Sequence, residues 1–365
     1  MTTIHVPLGE RAYDIQIASG LLDRAGDVLR PRLGGKALVV ADATVAQLHG
    51  ERLLRSLNQA GIPATLATFP AGEPSKTVTT AERMWAACAT ARLDRGDAII
   101  GFGGGVSGDL AGYVAACWMR GIAFAQIPTT LLAMVDSSVG GKTGVNSAAG
   151  KNLVGAFKQP VAVVIDPELL ATMDDREYRA GLAEILKYGI INDPAFLAWQ
   201  EANAPALAAR HPVAVAHAVA ESCRIKAWYV AADETEQGVR AHLNYGHTFG
   251  HALERQTAYT TYLHGEAVGI GMRMAAALAQ RVGVLTDAGL AHRQDALLAA
   301  YGLPRHHRTS GNDEVSALVA ACGLDKKVSG GRLRFVLPRA VGTVETITVS
   351  DVDAVTSAFA SAIGN

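Results

Sequence analysis

The feature that most constrains the fold of this chain is the alternation, in its first half, of short apolar runs with segments of helical spacing. Short apolar runs bounded by turn residues indicate strands, whereas a period of about 3.6 residues indicates helices. The predicted strands are 37–41, 64–69, 97–102, 123–127 and 161–165, and the predicted helices are 44–60, 77–93 and a segment from Asp109. This alternation predicts a mostly parallel, Rossmann-like sheet that binds ligands at the carboxyl ends of its strands.

Two other regions depart from this alternation. Residues 3–17 alternate apolar and polar positions around a glycine turn, which predicts a β-hairpin at the edge of the sheet. The later sequence consists of long Ala-rich segments with helical spacing, followed by one expected strand at 332–337. The predicted helices there are 176–191, 204–231, 244–256, 264–282 and 285–301. We therefore predict an α/β fold with a Rossmann-like domain over residues 1–170 and an all-helical domain over 171–365.

Composition excludes several functional classes. The chain has 33 Lys and Arg against 34 Asp and Glu, so no basic surplus favours nucleic acid or an anionic membrane. The most apolar stretch, 98–128, contains Asp109 and Arg120, and the first residues lack the pattern of a secretory signal. The four cysteines form no CxxC pair, as expected in a reducing compartment. We expect a cytoplasmic protein.

A glycine-rich turn separates a predicted strand from a predicted helix. Gly103, Gly105 and Gly108 satisfy the GxGxxG pattern, in which glycines let the backbone approach the pyrophosphate of a dinucleotide at a helix N-terminus. The alternative is a tight packing turn without a ligand. Asp42, at the end of an earlier strand, is suited either to ribose hydroxyls or to capping the helix that begins near Thr44.

The segment 136–146, DSSVGGKTGVN, superficially resembles a Walker A loop. Asp136 stands where that motif requires its first glycine, so an ATPase site is rejected. The polar, glycine-rich loop presents Lys142, and soon afterwards Lys151 and Asn152, which suit anionic groups. The alternative is a solvated flexible loop.

Three histidines fall within eighteen positions of the predicted helical domain. His247 and His251 are four residues apart, on one face of a helix, and His264 follows with Glu266 close behind. Glu184 offers an acidic ligand. Because catalytic zinc takes three protein ligands and keeps one position open, these residues predict a metal site.

Seven motifs carry a resemblance to a known family. They are GEPSK at 72–76, GGGVSGD at 103–109, PTTLLAMVDSSVGGKTGVN at 128–146, GKNLVGAF at 150–157, GLAEILKYG at 181–189, RAHLNYGHTFGHALE at 240–254 and HGEAVGIGM at 264–272. In order and spacing, the chain from residue 42 to about 340 resembles the 3-dehydroquinate synthases, which are sugar-phosphate cyclases. The implied fold is a Rossmann-like dinucleotide-binding domain joined to a helical metal-binding domain, as a homodimer.

The resemblance also implies a reaction. The substrate would be 3-deoxy-D-arabino-heptulosonate 7-phosphate, a small sugar-acid phosphate of the shikimate pathway of aromatic amino acid biosynthesis. The enzyme, a carbon–oxygen lyase, would form 3-dehydroquinate and phosphate by transient oxidation with NAD, phosphate elimination, re-reduction and aldol closure. The implied cofactors are NAD and zinc, with cobalt as an alternative.

Site residues follow from the resemblance by matching motif positions. Glu184, His247 and His264 would hold the metal, whereas His251 would be an imidazole beside the substrate. The NAD-binding positions would be Asp42, Ala71, Gly72, Glu73, Pro74, Ser75, Lys76, Gly105, Val106, Ser107, Gly108, Asp109, Thr129, Thr130, Lys142, Lys151, Leu169, Leu170, Ala171 and Thr172.

The substrate positions follow in the same way. Lys226 and Arg240 would bind the carboxylate, and Lys187 and Asp136 would lie near the reacting hydroxyls. The positions for the phosphate end would be Lys142, Asn152, Asn244, His251, one of Lys326 and Lys327, and Arg120 from the neighbouring subunit.

Three alternatives stand beside this prediction. A metal-dependent polyol dehydrogenase shares the two-domain plan but has no need of so many cationic positions. A related sugar-phosphate cyclase would be expected to change residues at the phosphate end, where Asn244 and His251 are present. A scaffold without enzymatic activity would have no reason to combine metal ligands, a glycine loop and cationic residues.

Overall fold

The computed structural model describes residues 1–308, 312–323 and 333–364. The chain divides into two compact units, which are Met1–Met173 with Ser222–Thr235 and Asp174–Glu221 with Glu236–Asn365. The predicted division into 1–170 and 171–365 differs from these units at residues 171–173 and in the segment 222–235. That segment packs on the first unit because Cys223 and Lys226 donate hydrogen bonds to Met134 and Asp136.

The first unit is an α/β sheet structure, which confirms the predicted fold class for this half. Its elements are β1 (Thr2–Val6), β2 (Tyr13–Ile17), α1 (Ala25–Leu29), β3 (Ala37–Asp42), α2 (Ala43–Gln59), β4 (Ala64–Phe69), α3 (Val78–Thr90), β5 (Ala98–Gly103), α4 (Gly105–Cys117), β6 (Ala123–Pro128), a π-helical turn (Ala133–Ser137), β7 (Lys142–Ser147), β8 (Gly150–Phe157) and β9 (Ala162–Ile165).

The main sheet places the motif-bearing loops at one point. Its order is β1-β2-β9-β6-β5-β3-β4, with β1 antiparallel to β2 and the other neighbours parallel. The hairpin predicted over residues 3–17 is therefore confirmed at the sheet edge. The chain runs from β3 to β4 on one side and then returns to β5 on the other side of β3. The carboxyl ends of β3 and β5 thus flank a topological switch point, where such sheets bind ligands.

The core of this unit buries the apolar faces of β3, β5 and β6 against α3 and α4. The sequence prediction started the last of these helices at Asp109, but α4 begins at Gly105. Glycine has low helix propensity, which led the prediction past the glycines. Packing explains their place inside the helix, because a Cβ at Gly108 would overlap with the buried amide of Gln126.

A hairpin replaces the loop that the sequence predicted after residue 136. β7 and β8 pair antiparallel, and Gly144 lies opposite Gly155. A Cβ on Gly155 would overlap with the carbonyl oxygen of Thr143, so the two strands approach too closely for a side chain there. Small residues without apolar alternation gave no strand signal.

The second unit is mainly helical, and α7 begins in it and continues into the first unit from Ser222 onward. The elements that complete the chain are α5 (Asp175–Ile191), α6 (Pro194–Ala208), α7 (Pro212–Ala232), α8 (His247–Gln256), α9 (His264–Arg281), α10 (Leu290–Ala300), β10 (His307–Arg308), α11 (Asn312–Gly323), β11 (Leu333–Ala340), β12 (Thr343–Val349), α12 (Val352–Ser361) and β13 (Ile363–Gly364). Among the described residues, no helix is long and apolar enough to cross a membrane.

Three predictions for this half need correction. The stretch 204–231 is not one helix, because Arg210 is left-handed with a φ of 56° and Pro212 begins the next helix. The stretch 285–301 becomes helical only at Leu290. An all-helical domain is too narrow a description, since β11 pairs with β12 and β10 pairs with β13.

Close packing of α1 on α2 supports a stability prediction. A Cβ at Gly26 would lie 2.7 Å from the Cβ of Ala60 and would overlap with the backbone oxygen of Ser56. We expect Gly26→Ala to lower the free energy of unfolding by about 1–3 kcal/mol, the usual cost of overpacking. Gly96→Ala is the matched control, because its Cβ would meet only a side-chain oxygen of Asp94 at 3.5 Å. Denaturant unfolding that gives both variants the same midpoint would contradict this packing argument.

Candidate active site

Three of the predicted metal ligands converge in the second unit. Glu184 lies on α5 and is 0% exposed. Its Oε1 lies 3.6 Å from Nε2 of His247, at the start of α8, and 3.8 Å from Nε2 of His264, at the start of α9. One ligand atom from each residue lies within 4.8 Å of the others, as a single divalent ion requires.

Glycines allow the helices that carry these ligands to approach. A Cβ at Gly271 of α9 would lie 2.7 Å from the backbone nitrogen of Gly250 in α8. A Cβ at Gly265 would overlap with the carbonyl of Ala180 in α5. The motifs GHTFGHALE and HGEAVGIGM therefore combine ligands with the small residues that bring the ligands together.

The electrostatics of this cluster suit a cation. Neither carboxylate oxygen of Glu184 has a hydrogen-bond donor within the described ranges, although Lys187 forms an ion pair with Oε2. Burial lowers the pKa of His247 well below its usual value, and the charges of Lys187 and His264 lower it further. A neutral imidazole and a carboxylate are the protonation states that bind a metal. The residues present thus fit a divalent metal.

The second ring nitrogen, Nδ1, of His247 and of His264 also lies near a hydrogen-bond acceptor. Nδ1 of His247 lies 3.1 Å from the carbonyl oxygen of Tyr245, and Nδ1 of His264 lies 3.3 Å from Oε1 of Glu254. His251, Glu254 and His264 form a second group with metal-binding geometry. The structure thus brings all three histidines together, and the division of their roles stays a prediction.

Arg240 lies in the 3-10 turn Val239–Asn244 and is only 2% exposed. The alternative to carboxylate binding is that Arg240 forms a surface ion pair with a nearby acid such as Glu236, whereas the structure buries the Arg240 side chain. Glu236 accepts a hydrogen bond from Nδ2 of Asn244 at 2.6 Å, and its backbone is left-handed with a φ of 60°. Sequence reasoning did not place Glu236 beside Asn244, because only the folded turn brings these two side chains together.

The glycine loop lies at the switch point of the first unit. Gly103 has a φ of 148°, and a Cβ there would overlap with Oγ of Ser107 and lie 3.1 Å from Oδ2 of Asp42. The backbone N–H groups of Gly105, Val106 and Ser107 begin α4, and no acceptor for them occurs in the described part of the chain. These orphan donors and the helix dipole suit a phosphate group.

Asp42 serves one of its two predicted roles in the structure. Its Oδ1 accepts hydrogen bonds from the backbone nitrogens of Thr44 and Val45, both at 3.0 Å, and so caps α2. Its Oδ2 accepts from Oγ of Ser107 at 3.5 Å. Capping does not exclude ribose binding, which stays a prediction.

A polar network around the buried Lys76 links several predicted positions of the first unit. Lys76, 4% exposed, donates to Oδ2 of Asp109 and to Oδ1 of Asn152, each at 2.5 Å. Asn146 donates to Glu73 at 2.7 Å and accepts from the backbone of Asn152 at 3.0 Å. Burial raises the pKa of Asp109, and the charge of Lys76 opposes that shift. Asn146 was not a predicted site residue, since its role depends on the β7–β8 hairpin.

The remaining predicted positions are placed as follows. Lys226 donates to Asp136 Oδ1 at 2.6 Å and to its backbone oxygen at 2.5 Å. Thr172 ends the 3-10 turn Pro167–Thr172 and bonds His49 at 2.9 Å. Lys151 is half-buried and lies near Glu73. Lys142 and Arg120 are exposed. The backbone nitrogen of Thr129 donates a hydrogen bond to the backbone oxygen of Gly103. Lys326 and Lys327 lie outside the described residues.

Comparison with known proteins decides the family. Family models described as 3-dehydroquinate synthase N-terminal and 3-dehydroquinate synthase C-terminal match residues 66–180 and 181–328. A 3-dehydroquinate synthase of Halorhodospira halophila is 52% identical over 94% of this chain and 94% of its own length. The chain belongs to the 3-dehydroquinate synthase family. Its activity is that of a 3-dehydroquinate synthase, a lyase, as the resemblance implied.

Solved structures of cyclases are similar to this 3-dehydroquinate synthase family member. A 2-epi-5-epi-valiolone synthase of Streptomyces hygroscopicus, with NAD+ and Zn2+ bound, is 30% identical, with a TM-score of 0.86 and 96% of each chain covered. A 2-deoxy-scyllo-inosose synthase, solved with carbaglucose-6-phosphate, NAD+ and Co2+, shares the fold at 23% identity, with a TM-score of 0.90 over 99% of this chain and 100% of its own. The predicted fold is confirmed by these likenesses.

The cluster around Glu184 makes a prediction about metal binding. We expect Ala at Glu184, His247 or His264 to weaken metal binding by more than about 100-fold. The loss of a direct ligand should lower metal affinity more than the loss of an outer-shell partner does. His251→Ala should retain the metal. Elemental analysis after dialysis measures the content, and the exposed His292→Ala is the control. Equal loss in the His251 variant would refute this division of the histidines.

Proposed function

We propose that the chain catalyses its reaction with a divalent metal, zinc or alternatively cobalt, held by Glu184, His247 and His264. The observation that carries the proposal is the buried Glu184 carboxylate, which faces Nε2 of two histidines and has no hydrogen-bond donor in the described parts of the chain. Lys187 supplies one positive charge at Oε2, and a cation beside Oε1 would offset the remaining cost of burying this carboxylate. Zinc in a family relative supports the choice of metal.

We place NAD at the glycine loop of the first unit. Support comes from the orphan N–H groups of residues 105–107 and from the position of the loop beside Asp42. Among the remaining predicted positions, Lys76 is held rigidly by Asp109 and Asn152 and so would keep the neighbouring 71–76 segment in place.

The substrate in this proposal is 3-deoxy-D-arabino-heptulosonate 7-phosphate. When bound, NAD supplies a reversible oxidation and the metal polarises hydroxyl and carbonyl oxygens. Arg240 presents a buried planar guanidinium that suits the substrate carboxylate. His251 stands beside the metal ligands, with its ring centroid 5.5 Å from that of His247, and would hold or move a proton of the substrate.

Lys187 and Lys226 are both buried, and each lies beside a carboxylate. Lys187 is 1% exposed and pairs with Glu184, so its positive charge lies next to the proposed metal site. Lys226 is oriented by Asp136 and would place its positive charge toward anionic groups of the substrate. We also propose a cytoplasmic homodimer in which the exposed Arg120 reaches the neighbouring subunit.

The stoichiometry of NAD tests the proposed reaction. The substrate contains the same atoms as 3-dehydroquinate plus phosphate, so the overall reaction transfers no electrons to NAD. We expect many turnovers per NAD, with phosphate and 3-dehydroquinate formed in equal amounts. Phosphate release and NADH absorbance measure the two quantities. Accumulation of NADH, mole for mole with product, would indicate a polyol dehydrogenase instead.

Arg240 supports a prediction about substrate recognition. Its guanidinium can make two parallel hydrogen bonds to a carboxylate, each contributing about 1.5–3 kcal/mol, whereas Lys cannot reproduce that geometry. Arg240→Lys should therefore lower kcat/KM by at least about tenfold while NAD and metal binding are unchanged. The control is Arg339→Lys, because Arg339 forms an exposed ion pair with Glu345. Unchanged substrate kinetics in the Arg240 variant would remove Arg240 from the site.

A further inference from the structure

His264 belongs to both groups of residues with metal-binding geometry, but it faces each group with a different ring nitrogen. Its Nε2 lies 3.8 Å from Oε1 of Glu184, whereas its Nδ1 lies 3.3 Å from Oε1 of Glu254. An imidazole that donates a proton from one nitrogen can bind a metal only through the other. The partner at Nδ1 therefore decides which group can bind the ion.

Hydrogen-bond chemistry assigns the tautomer. A carboxylate only accepts hydrogen bonds, so Nδ1 of His264 carries the proton and donates to Glu254. Nε2 then keeps its lone pair on the side of Glu184. His247 has the same arrangement, because its Nδ1 donates to the carbonyl oxygen of Tyr245 at 3.1 Å. Both histidines thus offer Nε2 to one point and satisfy Nδ1 elsewhere.

We propose that Glu254 is a positioning residue that orients His264 and sets its tautomer for the metal, without being a ligand itself. The inference rests on the proposed metal site at Glu184, His247 and His264. Glu254 is suited to this role because it is 6% exposed and lies on α8, one of the helices that packs closely through glycines. In that helix, His247, His251 and Glu254 are spaced i, i+4 and i+7, on one face.

The alternative is that His251, Glu254 and His264 bind the ion. That arrangement would require Nδ1 of His264 to lose its proton and would turn the imidazole lone pair away from Glu184. It would also leave the 0% exposed carboxylate of Glu184 with Lys187 as its cation and no hydrogen-bond donor from the described residues. Desolvation of a carboxylate makes this arrangement unfavourable.

The test compares Zn2+ affinity in the full-length protein, measured by competition with a chromogenic chelator. Glu254→Ala should weaken Zn2+ binding by about 10- to 100-fold, the usual effect of removing an outer-shell partner. Glu254→Gln should lose less, because its amide oxygen still accepts a hydrogen bond from Nδ1. In the cobalt-loaded protein, the visible absorption bands should shift in the Ala variant more than in the Gln variant.

Two controls separate positioning from a general structural role. Glu345→Ala removes an exposed carboxylate from the same unit and should leave both affinity and spectrum unchanged. The unfolding midpoint of metal-free Glu254→Gln should match that of the wild type. If Glu254→Ala does not fold, the Gln variant carries the affinity and spectral comparison.

Several results would overturn the inference. Wild-type Zn2+ affinity and cobalt spectrum in the Glu254 variants would remove any role toward the metal. Loss of metal as severe as in Glu184→Ala, with the Gln variant no better than Ala, would make Glu254 a ligand. A wild-type protein that binds no Zn2+ would contradict the proposed metal site itself, an outcome distinct from a failure confined to Glu254.

Discussion

The burial of the Glu184 carboxylate is the constraint that organises the second unit. α5 is buried without interruption from Ala180 to Ile191, so Glu184 cannot reach water. An ion in such a place loses hydration worth about several kcal/mol and needs an opposite charge. Lys187 supplies one from the next turn of the same helix, and Nε2 of His247 and of His264 lie 3.6 Å and 3.8 Å from Oε1 of Glu184. The close glycine contacts among α5, α8 and α9 serve this one arrangement.

In the first unit, backbone N–H groups rather than side chains form the candidate binding site. The end of β5, the left-handed Gly103 and the start of α4 expose N–H groups at a switch point, where a phosphate can accept them. The polar network around Lys76 joins the 71–76 region to α4 and to the β7–β8 hairpin. Charge at this site is local, which explains why a nearly neutral chain can still suit an anionic cofactor and substrate.

Much of this could be predicted from the sequence, but unevenly. Strands such as β3 and β4 were predicted to within a residue, because apolar runs and turn residues are local signals. The β7–β8 hairpin was missed, since glycines at Gly144 and Gly155 hide the alternation that marks a strand. The spacing of His247 and His251 alone would have made both of them metal ligands, and only the family resemblance assigned His251 to the substrate instead.

By itself, the sequence determined the α/β class, the order of the strands along the chain and the motifs that assign the family, because these depend on local periodicity and on residue identity. The tertiary structure decided which side chains face one another. Glu254 lies beside His264, Glu236 lies beside Asn244, and Arg240 is buried. The physical reason is that orientation and burial depend on packing between separate elements, and no local pattern of residues records which nitrogen of a histidine faces a carboxylate.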